Sequence, residues 1–308
     1  MASLKELIKR RELFSSGHRA CAGCGEVLAV RQVLLAAGEG VACAMPTGCL
    51  EIVSTIYPHT AWQVPMIHSA FENAAATIAG MEAAYRALKR RGKIEREIKF
   101  IAFGGDGGTY DIGFQALSGA IERRHRFLYV CTDNQAYMNT GIQRSSATPK
   151  FASTTTSPAG RKLPGKLQAR KDIMEIVIAH DIPYCAQTTV AFWNDLVTKV
   201  QKALSIDGPT FINILVPCPL GWAHKPSETI EISRLAVETN FWPLYEYENG
   251  VYRLTYEVKE RKPIEEWLSK QGRFRHLFQP ENKELIEVIQ KEVDENFARL
   301  KKRVAMSS

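Results

Sequence analysis

Two short runs, Phe100-Ile-Ala-Phe103 and Phe127-Leu-Tyr-Val-Cys131, constrain the fold of this chain more than anything else in it. Each is apolar without interruption. A strand with one wet face alternates apolar and polar residues, so a continuous run marks a strand buried on both faces, as in a parallel sheet covered by helices. Between the two runs Phe114, Leu117 and Ile121 recur at helical spacing. The same rhythm extends along the chain. A helix carrying Val27, Val30 and Leu34 stops at Gly38 and is followed by a strand in VACAMPTG; an alanine-rich helix runs from Phe71 to Leu88. Further on come a helix from Asp172 to His180, a strand around Tyr184, a helix from Phe192 to Leu204, and the strand FINILVP from Phe211. Strands alternating with helices of about a dozen residues predict βαβ units, and hence an α/β fold of three layers, α/β/α, around a mainly parallel sheet.

The rhythm breaks twice. SSATPKFASTTTSPAGRKLPGK is rich in Ser, Thr, Pro and Gly and predicts a loop that is either functional or flexible. Beyond about Ile230, LYEYENGVYRLTY signals a hairpin with Asn249-Gly250 at its tip, and Ile286, Ile289, Val293, Phe297 and Leu300 form one helical stripe. Residues 1–230 are expected to form one domain, and residues 231–308 a C-terminal hairpin-and-helix arm with no core of its own, suited to subunit contact. No internal repeat is visible.

In open α/β sheets ligands bind beyond the carboxyl ends of the strands. Four loops meet there: PTGC after the Val41 strand, GGDGG after the Phe100 strand, DNQAYMN after the Phe127 strand and PCPLGW after the Phe211 strand. Gly105, Gly107 and Gly108 let backbone N–H groups approach an anion closely, while Asp106 leaves a carboxylate free for a hard cation. Asn134 adds a neutral oxygen. One carboxylate, one amide oxygen, a backbone carbonyl and phosphate oxygens suit Mg²⁺, so a diphosphate is the expected guest. A glycine-flanked aspartate alone is most often a plain turn. With a strand before it and strand-Asp-Asn after it, the signal is considerably stronger.

The chain has seven cysteines among 308 residues. An odd count in a chain whose N-terminus shows no apolar signal core argues for thiol or metal chemistry over a disulfide framework, and predicts a cytoplasmic protein. Cys21 and Cys24 form a CxxC pair ahead of a helix; with Cys49 and Cys218 on the same sheet edge, four thiolates could close one site. On spacing alone zinc and an iron–sulfur cluster are equally good readings. Cys43, Cys131 and Cys185 lie within strands and read as buried apolar thiols. No apolar run reaches the roughly 18 residues of a membrane span. The net charge of +7 is spread along helices interleaved with Glu, which fits solvated helix faces better than a nucleic-acid surface and is compatible with an acidic protein partner.

CAGCGE, TGC, GGDGGTYDIGFQALSGAIER, DNQAYMNTGIQRSS and PCPLGW, in that order, resemble the β subunit of the pyruvate:ferredoxin oxidoreductase family, the multi-subunit 2-oxoacid:ferredoxin oxidoreductases, which include an oxalate branch. The resemblance covers nearly the whole chain, LYEYENG and GRF included. It implies a thiamine diphosphate-binding fold, and iron rather than zinc: a [4Fe-4S] cluster on Cys21, Cys24, Cys49 and Cys218. Asp106, Asn134 and the carbonyl of Ala136 resemble the Mg²⁺ ligands; some relatives carry Thr where Asn134 stands. Thr47, Gly48, Gly107 and Asn139 resemble further contacts to the cofactor or its adduct, Asn139 being the catalytic candidate.

The activity so implied is oxidative decarboxylation of a small 2-oxo acid, pyruvate first and oxalate, 2-oxoglutarate or branched and aromatic 2-oxo acids also open. Electrons pass through the cluster to ferredoxin, and coenzyme A takes the acyl group unless the substrate is oxalate. The carboxylate that activates the cofactor ring resembles a contribution from another subunit, so the chain is expected to act only with α and γ/δ-type partners. His68 in MIHSAFE reads first as a satisfied structural histidine and second as a residue that approaches the site. Two alternatives stand beside this reading: a non-redox thiamine diphosphate enzyme with a zinc Cys₄ staple, and a cluster-bearing electron-transfer module without thiamine.

Overall fold

The computed structural model describes residues 4–307. Eight strands form one sheet: β1 (Val41–Pro46), β2 (Met66–Ser69), β3 (Lys99–Gly105), β4 (Leu128–Asp133), β5 (Tyr184–Thr189), β6 (Thr210–Leu215), β7 (Tyr245–Glu248) and β8 (Val251–Leu254), in the spatial order β2-β1-β3-β4-β6-β5-β7-β8. The helices are α1 (Leu4–Leu7), α2 (Gly25–Ala37), α3 (Cys49–Ser54), α4 (Ala74–Arg90), α5 (Phe114–Glu122), α6 (Ile173–Ile178), α7 (Trp193–Ser205), α8 (Pro219–Trp222), α9 (Thr229–Glu238), α10 (Ile264–Ser269) and α11 (Lys283–Ser307).

The first six strands pair in parallel, and β7 and β8 extend the sheet antiparallel beyond β5. Every residue of β1, β4, β5 and β6 is buried, which is why β1, β4 and β6 read as largely apolar runs. Alternate side chains serve opposite layers. Ile101 and Phe103 pack with Val30, Leu34 and Val200 of α2 and α7, whereas Phe100 and Ala102 pack with Ile78, Leu117 and Val177 of α4, α5 and α6. The expected three-layer α/β/α fold is the one found.

β2 was not anticipated. It is an edge strand, half exposed, with His68 and Ser69 in its four residues, so no apolar run announces it. The hairpin forms as expected, with Asn249 (φ 46°) and Gly250 (φ 93°) both left-handed, the geometry a two-residue turn needs to match strand twist.

Residues beyond about 230, expected to form an arm with no core of its own, contribute to a buried cluster shared with the first 230 residues through Phe151, Leu215 and Trp222. Trp242, Trp267, Phe274 and Leu277 are completely buried, together with Trp222 and residues of α9, α10 and α11. The aromatics stand singly in turns and short helices, too short to show a period, yet each buries a large apolar area. α11 buries Ile289, Val293 and Leu300, with Ile286 and Phe297 partly covered, as its stripe predicts. Among the described residues, no helix is long and apolar enough to cross a membrane.

Candidate active site at the carboxyl edge of the sheet

Because β1, β3, β4 and β6 are parallel, the loops that follow them leave from one edge. A cleft opens there between Thr47, Gly48 and Cys49 after β1, Gly105 to Gly108 after β3, and Asn134, Ala136 and Asn139 after β4. A Cβ added at Gly48 or Gly105 would meet nothing within 4 Å. Space is therefore kept beside the backbone where a guest can approach it. At Gly107 the constraint is internal: a Cβ would run into the Tyr137 ring at 2.4 Å. Thr47 Oγ1 lies 3.0 Å from Nε2 of His68, so the exposed histidine of β2 braces the site wall from outside the core.

Asp106 is fully buried and begins a wide π turn, Gly107–Ile112, closed by Gly113 N–H donating to the Gly108 carbonyl at 2.7 Å. Such turns cluster at functional sites, and a Cβ at Gly113 would collide with the Gly108 oxygen. Ser145 Oγ donates to Asp106 Oδ2 at 2.5 Å, and Asn134 N–H donates to Oδ1 at 3.2 Å. The amide end of the Asn134 side chain stands 2.9 Å from Asp106 Oδ1 and 2.8 Å from the Ala136 carbonyl. Turned one way its nitrogen donates to both; turned the other, three oxygens converge with no proton between them, the arrangement a divalent cation satisfies. Burial, and then the nearby Asp133 carboxylate, push the Asp106 carboxyl far above the usual range, so this pocket favours a positive guest.

Asp133 itself is matched. It accepts from Arg170 Nη2 at 2.5 Å and from Tyr110 Oη at 2.6 Å, and Arg170 lies 4.4 Å from the Trp242 ring. The Ser/Thr/Pro-rich loop packs on the site: its Ser145 and Thr148, and Arg170 and Lys171 just beyond it, reach the site loops or the π turn.

The CxxC segment and Cys218 are joined by Gly25 N–H donating to the Pro217 carbonyl at 3.2 Å and by Thr229 Oγ1 donating to the Gly23 carbonyl at 2.5 Å. All seven cysteines are free; Cys21 is exposed, Cys24, Cys49 and Cys218 are half-buried, and Cys43, Cys131 and Cys185 are buried as expected. Burial, then Glu26, then Cys218, Cys24 and Cys21 push the Cys49 thiol up, while burial, Glu26 and Cys218 raise Cys24 to about 12. The four thiols therefore lie within one another's electrostatic reach. Gly221 N–H donates to Cys218 Sγ at 3.3 Å, and a Cβ at Gly221 would strike Met138 Sδ, so the Asn134 loop and the Cys218 turn are in contact. Among the described residues no three His, Cys, Asp or Glu side chains stand close enough to hold a single metal ion.

Sequence reasoning missed Glu26. It is 5% exposed, lines the cleft and accepts from Thr132 Oγ1 at 2.8 Å; burial raises its carboxyl to about 7. The signal was available: Glu26 shares the helical spacing of Ala29, Val30 and Val33, an apolar face on which a carboxylate is out of the ordinary.

The model of the thiamine pyrophosphate enzymes' C-terminal TPP binding domain matches residues 46–214. The pyruvate synthase subunit PorB of Methanocaldococcus jannaschii is 56% identical over 288 residues, 93% of this chain and 95% of that protein. PorB of Thermotoga maritima is 51% identical, covering 96% and 93%. The ketoisovalerate oxidoreductase subunit VorB of Pyrococcus abyssi is 48% identical, covering 96% and 97%. Among solved structures, the 2-oxoglutarate:ferredoxin oxidoreductase from Magnetococcus marinus has a TM-score of 0.56 over 72% of this chain and 79% of that one at 18% identity, a likeness of fold. With near-complete coverage at these identities and a thiamine diphosphate domain over the sheet edge, the chain belongs to the β subunits of the 2-oxoacid:ferredoxin oxidoreductases.

Proposed function

We propose that the chain is the cofactor-holding, cluster-bearing β subunit of a cytoplasmic pyruvate:ferredoxin oxidoreductase that turns over only with its α and γ/δ-type partners. The observation that carries this reading is the convergence of the Asp106, Asn134 and Ala136 oxygens beside the loop of Cys49. Those three groups would hold Mg²⁺, and the backbone of Gly105, Gly107 and Gly108 would face the diphosphate. When bound, thiamine diphosphate supplies an electron sink that lets a 2-oxo acid lose CO₂.

The chain's own groups position and shield. Thr47 and Gly48 border the cleft where its wall is open, and His68 fixes the Thr47 hydroxyl. Asn139, exposed at the mouth, offers an amide to the incoming carboxylate. Glu26, poised near neutral pH, can hold or release a proton at a polar atom of the guest. Cys21, Cys24, Cys49 and Cys218 would hold a [4Fe-4S] cluster. Burial of Cys24, Cys49 and Cys218 opposes thiolate formation unless iron supplies compensating charge, and a four-iron cluster asks for a wider ring of sulfurs than one ion does. The cluster's chemistry is one-electron transfer, and the net charge of +7 suits an acidic ferredoxin.

Pyruvate leads because the PorB relatives share up to 56% identity; the 48% identity to VorB makes a branched 2-oxo acid the second reading. The test is viologen or ferredoxin reduction by the anaerobically purified complex with pyruvate, 2-oxoisovalerate, 2-oxoglutarate and oxalate, with and without coenzyme A. Coenzyme A-dependent reduction with pyruvate as the best substrate supports the proposal. Turnover by the isolated chain, or oxalate oxidation without coenzyme A, overturns it.

A further inference from the structure

The turn Gly272–Phe278 carries a buried cation that the reading above leaves unused. Arg273 is 6% exposed. A guanidinium so placed ordinarily sits on a carboxylate, because an unpaired charge is costly to take out of water. Here its partners are neutral amides: Nε and Nη2 donate to Gln271 Oε1 at 2.9 and 2.7 Å, and Nη2 donates to Gln135 Oε1 at 2.6 Å. Its planar face lies 4.0 Å from the centre of the Trp222 ring. Among the described residues Arg273 makes no ion pair; Asp133, the carboxylate that acts on it most strongly, is taken by Arg170.

The charge lies one short helix from the cysteine site: it stacks on Trp222, the last residue of α8, whose N-cap is Cys218. After burial, Cys218 is the strongest electrostatic influence on Arg273, ahead of Asp133 and Asp106. The turns are fastened together at both ends of α8: Trp222 N–H donates to the Cys218 carbonyl at 2.9 Å, and Gly272 N–H donates to the Ala223 carbonyl at 3.2 Å. Neutral partners leave the guanidinium's charge uncancelled, and a dry surrounding carries it farther than water would.

We propose that Arg273 is the fixed counter-charge of the Cys21, Cys24, Cys49 and Cys218 site, stabilising the electron-rich state of the cluster held there and so raising its reduction potential. The inference rests on the [4Fe-4S] reading above. Cluster potentials follow net charge and the surroundings of the sulfurs, and adding an electron to four thiolate-bound irons deepens a negative charge that a nearby cation offsets.

The test is an anaerobic redox titration, followed by electron paramagnetic resonance, of the intact complex carrying wild-type, Arg273→Met, Arg273→Lys or Gln271→Glu β subunit. The β-subunit signal is the one removed by Cys21→Ser. Met keeps the length and loses the charge; Gln271→Glu leaves Arg273 in place and cancels its charge, so it decides the matter even where the Met variant does not assemble. Both are expected to shift the one-electron equilibrium about tenfold toward the oxidised cluster, about 59 mV, while Lys stays near wild type. Unmoved potentials in Met and Glu variants, or a Lys variant displaced as far as Met, would overturn the proposal while leaving the cluster in place. A wild-type complex without the β-subunit signal would instead sink the cluster reading, and this inference with it.

Discussion

The carboxyl edge of the sheet and the C-terminal core are built from opposite materials. The edge is made of glycines, buried carboxylates and a cleft, and Asp106 sits there with its carboxyl driven up by burial and by Asp133. The C-terminal core is made of completely buried Trp222, Trp242 and Trp267, with Phe241 stacked 4.1 Å from Trp267. The two meet through single contacts: Trp222 Nε1–H donates to the Asn134 carbonyl at 2.7 Å, and Arg170, which matches Asp133, lies over Trp242. The difference teaches that an edge kept open and charged for a guest does not hold its own shape, and that an apolar mass beyond the sheet fixes the loops that carry it.

The comparison breaks most sharply at Trp267. Replacing it with Ala leaves a large void among Trp222, Phe241 and Phe274, and should lower stability by about 3–5 kcal/mol, read as an earlier denaturant midpoint with cofactor loss as a consequence. The edge should respond in the opposite sense. Asp106→Asn removes a carboxyl whose ionised form burial and Asp133 disfavour, so the cofactor-free protein should gain stability on the order of 1 kcal/mol, read as a higher thermal midpoint, while cation affinity falls. A drop in that midpoint would contradict the contrast.

Smaller effects sharpen it. Gly250→Ala forces a side chain into the left-handed tip of the hairpin and should cost about 1 kcal/mol or less without altering cofactor content, because the tip lies far along the sheet from the cleft. The smallest is a pH effect. Burial lowers the pKa of His224 and His276 below 6.5, so the folded state binds fewer protons than the unfolded chain, and stability present above pH 6.5 is lost as pH falls below it. Thermal midpoints of the wild type should fall between pH 7.5 and 5.5 more than those of a His224→Phe, His276→Gln variant; equal falls would remove these histidines from the account.

The same contrast explains what could be read from the amino acids. β1, β3, β4 and β6 were legible because burial on both faces writes itself as an apolar run, and the hairpin because Asn249-Gly250 admits few other turns. The edge loops were legible because glycine, Asp106 and Asn134 following strands are chemically unusual. β2 was not, since its pattern is that of an edge strand, and the C-terminal core was not, since lone tryptophans carry no period. The charges that organise the site from behind, Asp133, Arg170 and Arg273, come from three separate segments, and only the folded chain brings them together.

The central claim is that the Asp106 loop anchors the diphosphate independently of the cysteine site. It is tested most directly by assaying thiamine diphosphate and iron in anaerobically purified complexes carrying wild-type or Asp106→Ala β subunit. The expected result is full iron in both and thiamine in the wild type alone. Thiamine retained at wild-type stoichiometry in the Asp106→Ala complex would contradict it.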